Sequence, residues 1–142
     1  MNNFKLFAVL DTNVLVSALL NWTSVPGVVV KEAISGNLTP VLHEKILEEY
    51  EEVLRRKKFP FLEEDIQALL KRLKERGVFW VPAWIDEELP DDKDIIFYAV
   101  TMEARKDENS YLVTGNIRHF PVRPYIVTPR EMLSILERER NV

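Results

Sequence analysis

The chain has 142 residues, of which 46% are hydrophobic and 30% are charged, with 4 glycines and 8 prolines. This composition is typical of a folded protein, and the length predicts a single domain over residues 1–142. The 23 acidic and 19 basic residues give a formal net charge of −4, which argues against a surface that is cationic overall, as a general nucleic-acid-binding surface would be. The absence of cysteine excludes disulfides and zinc–thiolate sites.

The histidine content also restricts the kind of metal site that the chain can form. With only 2 histidines, His43 and His119, a histidine-rich metal site is excluded. Any metal would be held mainly by oxygen ligands, which favours Mg²⁺ or Mn²⁺.

The most apolar stretch of the sequence, residues 6–20, is interrupted by Asp11-Thr12-Asn13. A membrane-spanning helix needs about 20 predominantly apolar residues, and a signal peptide needs a basic start followed by a continuous apolar run. The sequence therefore predicts a cytoplasmic protein with no membrane contact.

Strand and helix patterns alternate along the chain. Strands are predicted at residues 4–10, 39–42, 78–81, 111–114 and 125–127. Helices are predicted at residues 14–20, 27–35, 44–58, 63–76, 94–105 and 129–139, with a loop at 83–93. The alternation predicts a three-layer α/β/α fold with a central, mostly parallel sheet of about five strands. Functional residues in such sheets collect beyond the carboxyl ends of the strands.

Polar residues follow two of these strands directly. Asp11 comes after the first strand, where an N-cap role for the next helix is an equally good interpretation. Thr114 and Asn116 flank Gly115 after the fourth strand, where the Gly-Asn pair also fits a simple turn. These side chains can meet across neighbouring strand ends.

The helix at 44–58 carries four closely spaced glutamates. On a helical wheel, Glu48 and Glu52 point away from the apolar arc, whereas Glu49 and Glu51 lie on its two opposite borders. Only a border carboxylate can face a cleft in the protein body. The wheel therefore leaves Glu49 and Glu51 as alternatives.

Asp94 leads a helix that is apolar on most sides, so its carboxylate is expected near the edge of the core. Capping would account for one or two of the aspartates just before it. Asp11, Glu49 (or Glu51) and Asp94 then form a candidate cluster. Carboxylates packed together repel unless a cation neutralises them, and a divalent cation held by oxygen ligands commonly serves phosphoryl transfer.

Four motifs in chain order resemble the PIN domain family (named from the PilT amino terminus). They are an amino-terminal strand followed by Asp11-Thr12-Asn13, the pair Glu49-Tyr50 on a helix, Asp91-Asp92-Lys93-Asp94 before an apolar helix, and Leu112-Val113-Thr114-Gly115. Two carboxyl-terminal motifs resemble the toxin components of VapBC-like toxin–antitoxin systems within this family. They are His119-Phe120-Pro121 and Thr128-Pro129-Arg130-Glu131.

The resemblance implies a ribonuclease that uses Mg²⁺ or Mn²⁺ to hydrolyse phosphodiester bonds. It implies Asp11, Glu49 and Asp94 as metal ligands. Thr114 and Asn116 would complete the catalytic site by orienting the water or the phosphate. Asn13 would support Asp11, and Asp91 would be a second family acid.

One residue departs from the family pattern. Many members carry a fourth acid after the last glycine, where this chain has Asn116. An amide brings no charge, so a one-metal site or weak activity is expected. His119, three residues further on, is interpreted as a loop or packing residue, because metal geometry is demanding.

An acidic protein must hold RNA with local cations, and Arg118 and Arg123 lie near the Thr114 end of the predicted site. The resemblance also implies an antitoxin protein as partner and a homodimer. The alternative is an inactive PIN domain that binds RNA or protein. A phosphoacceptor receiver domain is disfavoured, because no Asp ends a middle strand and no Lys follows the last one.

Overall fold

The computed structural model describes residues 5–82 and 94–140. Within these ranges the strands are β1 (Phe7–Leu10), β2 (Thr39–Leu42), β3 (Val78–Phe79), β4 (Ser110–Val113) and β5 (Ile126–Val127). The α-helices are α1 (Thr12–Leu20), α2 (Val25–Ser35), α3 (Glu44–Leu54), α4 (Glu63–Arg76), α5 (Ile95–Ala104) and α6 (Pro129–Arg140). A short 3₁₀ turn spans Ile117–His119.

The five strands form one sheet in the order β3-β2-β1-β4-β5, and every pair of neighbours is parallel. Helices cover both faces of the sheet, which confirms the predicted three-layer α/β/α fold. The central strand β1 is buried along its whole length, as its continuous apolar sequence predicts.

The register of the sheet determines which residues emerge together at its carboxyl edge. Leu10 of β1 pairs with Val113 of β4, and the backbone N–H of Asp11 donates to the carbonyl of Val113 at 2.9 Å. Asp11 and Thr114, the next residue on each strand, therefore leave the sheet side by side.

The carboxyl-terminal ends of two elements differ from the sequence prediction by two residues or more. Helix α3 ends at Leu54 instead of residue 58, because the basic run after Leu54 has no apolar side chain to bury and Pro60 disfavours helical backbone just before it. Strand β3 covers two residues instead of four, because it is an edge strand that pairs only with Val41 and Leu42.

Helix α6 begins with a reciprocal capping arrangement. The backbone N–H of Glu131 donates to Thr128 Oγ1 at 3.2 Å, and the Glu131 carboxylate accepts from the backbone N–H of Thr128 at 2.9 Å. Pro129 occupies the first helical position, as predicted. The Thr-Pro-x-Glu motif thus has a structural explanation as a capping box.

The buried core includes residues of β1, β2, β4 and β5 and the inner faces of the helices, and Val78 of β3 packs against it. No single helix in the described parts of the chain is long and apolar enough to cross a membrane, and α1 and α2 meet that criterion only together, as a pair bent by 105°.

Candidate active site

Asp11 lies at the carboxyl end of β1 and is only 6% exposed. It occupies the N-cap position of α1, but its side chain makes no capping hydrogen bond. Its Oδ2 atom instead accepts hydrogen bonds from Thr114 Oγ1 at 2.7 Å and from Asn13 Nδ2 at 3.0 Å. The carboxylate therefore joins two strand ends, and the capping interpretation does not describe this side chain.

Thr114 is fully buried, and its hydroxyl takes part in two hydrogen bonds. Its Oγ1 accepts from the backbone N–H of Asn116 at 2.9 Å, so the single hydroxyl hydrogen is directed to Asp11. The backbone N–H of Gly115 donates to Asn13 Oδ1 at 2.9 Å. These contacts connect the first turn of α1 to the loop after β4 and fix the position of the Asp11 carboxylate.

The environment of Asp11 raises the pKa of its carboxyl above the usual 3.8. Burial is the largest cause. The hydrogen bond from Thr114 opposes it, and the negative charge of Asp94 raises the pKa further. Asp94 therefore lies close enough for the two carboxylates to repel, as expected for a site that binds a cation.

Asp94 precedes α5 directly and is 9% exposed. The residues of α5 that follow are largely buried, as predicted from the apolar sequence. The Oδ2 atom of Asp94 lies 3.0 Å from His119 Nδ1. Sequence reasoning missed this contact, because 25 residues separate the pair and no local spacing rule connects them.

Helix α3 presents its glutamates as the wheel predicts. Glu48 and Glu52 are exposed, whereas Glu49 and Glu51 are partly buried. Glu51 lines a groove together with residues of α4, on the opposite border of the apolar arc from Glu49. This placement favours Glu49 over Glu51 as the acid on the site side, although Glu49 completes no three-acid metal arrangement in the described parts of the chain.

Tyr50, the residue after Glu49, attaches α3 to the site. Its buried hydroxyl donates to the backbone carbonyl of Leu10 at 2.5 Å, one residue before Asp11. Burial raises the pKa of the Tyr50 hydroxyl, and the charge of Asp11 adds to the shift. The Tyr50 ring also lies 6.3 Å from that of Phe97 on α5. The apolar arc of α3 is otherwise aliphatic, so the tyrosine within it was the sequence feature that could have indicated this attachment.

The remaining predicted residues are placed as follows. Asn116 and Arg118 are exposed beside the Thr114 loop, and Arg123 is exposed further along it. Asp91 lies outside the described residues. Two of the basic residues after α3 pair with acids at the surface, Arg55 with Glu63 and Arg56 with Glu52.

The donor atoms at this edge of the sheet suit a hard divalent cation, because they are carboxylate oxygens. Thr12, next to Asp11, buries a hydroxyl that has no hydrogen-bond partner among the residues that the structure describes, and buried polar groups are normally paired with protein, water or an ion. However, residues 5–82 and 94–140 contain no group of three or more His, Cys, Asp or Glu side chains arranged to hold a metal. The structure thus brings two of the three predicted ligands near each other.

The sequence model described as the PIN domain matches residues 8–118 of the chain. PIN domains are typically nucleases, and they generally use divalent metals. A search of curated proteins and a search of solved structures each found no significant match. Because the matched span covers most of the chain and includes Asp11, Asp94 and Thr114, this protein belongs to the PIN domain family.

Proposed function

We propose that the protein is a ribonuclease that hydrolyses RNA phosphodiester bonds with Mg²⁺ or Mn²⁺. The observation that carries this proposal is the buried Asp11 carboxylate, held by Thr114 and Asn13 and repelled by Asp94. A protein that needed only stability would not bury two mutually repelling acids. Family membership supports nuclease activity in general.

Asp11, Asp94 and Glu49 are the residues that would hold the cation. When bound, a divalent cation supplies Lewis acidity that makes water a better nucleophile and neutralises phosphate charge. Tyr50 keeps the adjacent turn of α3 against the end of β1, which supports Glu49 as the third acid.

Thr114 and Asn13 act on Asp11. Since Thr114 is 0% exposed, its role is to orient the carboxylate and not to contact RNA. Asn116 is exposed beside it, so its amide is available to a phosphate or a water molecule. Arg118 and Arg123, exposed beyond Asn116, provide cationic groups for the RNA backbone.

The test is RNA cleavage by protein freed of metal with EDTA and then supplied with Mn²⁺. Asp11→Asn and Asp94→Asn are expected to reduce cleavage to the EDTA level. Glu49→Gln should reduce it strongly, whereas the exposed neighbour Glu48→Gln serves as the matched control and should cleave like the wild type. Unchanged cleavage by Asp11→Asn or Asp94→Asn would show that the site is wrongly assigned.

A further variant, Glu51→Gln, decides between Glu49 and Glu51, the two glutamates on the borders of the apolar arc of α3. If Glu51→Gln loses activity and Glu49→Gln does not, the third acid is Glu51. The groove position of Glu51 favours the opposite result.

We also propose that the protein is the cytoplasmic toxin of a toxin–antitoxin pair, that it forms a homodimer and that it binds an antitoxin protein. The support is the sequence resemblance around His119-Phe120-Pro121. Expression of the chain alone should arrest growth, and co-expression of a small protein encoded next to it should relieve the arrest. Asp11→Asn should remove the arrest. A harmless wild-type chain with RNA-cleaving activity would contradict the toxin role alone.

The second candidate is a PIN domain that binds RNA or protein without cleaving. It is favoured by the uncharged Asn116 and by the lack of a three-acid metal arrangement in the described residues. Isothermal titration of the metal-free protein with Mn²⁺ separates the two functions. Saturable binding that Asp11→Asn abolishes supports the ribonuclease, and absence of binding supports the second candidate.

A further inference from the structure

His119 has a fixed backbone position beside the proposed site. It ends the 3₁₀ turn Ile117–His119, and its N–H donates to the carbonyl of Asn116 at 2.9 Å. Phe120, the next residue, is 6% exposed and anchors the turn in the core. The backbone that carries the imidazole is therefore held in a fixed position.

In the contact between this imidazole and Asp94, the histidine is the hydrogen-bond donor. His119 Nδ1 lies 3.0 Å from Asp94 Oδ2. An ionised carboxylate only accepts hydrogen bonds, so Nδ1 must carry the hydrogen in this pair. The side chain of Asp94 is 12% exposed and that of His119 is 42% exposed, so the ring lies on the solvent side of the carboxylate.

We propose that His119 is a positioning residue that fixes the orientation of the Asp94 carboxylate for cation binding, which rests on the proposed function. Asp11 is already held by two donors, Asn13 from the first turn of α1 and Thr114, the residue after β4. His119 supplies the corresponding donor to Asp94 from the same β4 loop. One loop thus orients both acids, through Thr114 on one side and His119 on the other. Such supporting hydrogen bonds are commonly worth about 10–100-fold in metal affinity.

The test is the Mn²⁺ affinity of metal-free protein, measured by isothermal titration. His119→Phe keeps a ring but removes the donor, and it is expected to weaken Mn²⁺ binding by about 10-fold or more. His119→Ala, a second variant without a donor, should behave in the same way. His119→Asn retains an N–H attached to Cγ, so it should bind within about threefold of the wild type, a small part of the effect expected for donor loss.

Two controls separate positioning from other roles. His43→Asn removes the other imidazole but keeps a side chain able to cap α3, where His43 Nδ1 accepts from the N–H of Lys45, and it should leave Mn²⁺ affinity unchanged. Thermal unfolding without metal should be similar for His119→Phe, His119→Asn and the wild type. RNA cleavage by His119→Phe should fall at low Mn²⁺ and recover at saturating Mn²⁺.

The positioning role of His119 and the proposed ribonuclease function are overturned by different results. Equal Mn²⁺ affinity of His119→Phe, His119→Ala and the wild type overturns the positioning role and leaves the proposed function intact. An equal loss in His119→Asn and His119→Phe also overturns it, because the imidazole would then be a direct ligand. A wild-type protein that binds no Mn²⁺ overturns the proposed function, and the positioning role with it.

Discussion

At the scale of single residues, the site depends on one buried carboxylate and the groups that hold it. Asp11 accepts from Thr114 and Asn13 through the same oxygen, Oδ2. No side chain in the described ranges donates to Oδ1. Side-chain donors therefore orient the carboxylate through Oδ2, and the backbone of Thr12 adds a further hydrogen bond to the carboxyl group.

Thr114→Val is expected to lower the free energy of unfolding by about 1–3 kcal/mol, because buried Asp11 loses a donor and the N–H of Asn116 loses its acceptor. Urea denaturation measures this change. Thr114→Ser, which retains the hydroxyl, should lose much less. Equal losses in the two variants would assign the effect to the missing methyl group instead of the hydrogen bond.

The raised pKa of Asp11 predicts a pH dependence of stability. Because the folded state binds this proton more tightly than the unfolded chain, the stabilising contribution is complete below the ordinary pKa of 3.8 and is lost as the pH rises through the raised folded value. Without metal, Asp11→Asn should therefore unfold at a higher temperature than the wild type at neutral pH. The difference should shrink near pH 4, about where an unperturbed aspartate titrates.

Circular dichroism melts in EDTA at the two pH values measure this effect. An Asp11→Asn variant that is less stable than the wild type at neutral pH would contradict the destabilising role of the ionised carboxylate. Added Mn²⁺ should reverse the order, since binding to the native state stabilises only the protein that retains the ligand.

At the scale of the elements, α3 and α5 carry the acids toward a sheet edge that β1 and β4 define. Tyr50 connects these parts, since its hydroxyl reaches the end of β1 and its ring lies near Phe97 of α5. The place proposed for Glu49 beside Asp11 therefore depends on Tyr50, whose hydroxyl contacts the backbone of Leu10.

Tyr50→Phe is expected to lower the free energy of unfolding by about 1–3 kcal/mol, because the buried carbonyl of Leu10 loses the tyrosine donor. The same variant should weaken Mn²⁺ binding if Glu49 is a ligand. Tyr111→Phe, at a partly buried tyrosine on β4, is the control and should change neither quantity appreciably. Tyr50→Phe with unchanged stability would mean that the hydroxyl contributes no net stabilisation.

At the scale of the whole molecule, the net charge of −4 means that the proposed RNA substrate would have to be attracted locally. Two of the acids behind this charge, Asp11 and Asp94, are buried at the proposed site, where a divalent cation would offset them. Other acids form ion pairs at the surface, such as Glu63 with Arg55 and Glu52 with Arg56. The exposed cations nearest the site then have most influence on RNA affinity.

Arg118→Ala is expected to weaken RNA binding and to reduce the slope of log affinity against log salt by about 1, as the loss of one phosphate contact should. Binding would be measured in Asp11→Asn protein, so that the RNA stays intact. Lys31→Ala, an exposed cation on α2, should leave the slope unchanged. Identical slopes for the two variants would remove Arg118 from the RNA-binding surface.

The sequence by itself determined the fold class, the strand and helix order, and the position of Asp11, Asp94 and Thr114 at element ends. It could do so because apolar periodicity and continuous apolar strands are local properties of the chain. The helical wheel also separated Glu49 and Glu51 from Glu48 and Glu52, since that separation depends only on helix geometry.

Only the tertiary structure decided how these residues meet. The register that pairs Leu10 with Val113 brings Thr114 to Asp11, and the packing of the β4 loop against α5 brings His119 to Asp94. Tyr50 reaches Leu10 across 40 residues. Such contacts depend on how elements distant in sequence pack in three dimensions, and no local pattern in this chain encodes that arrangement.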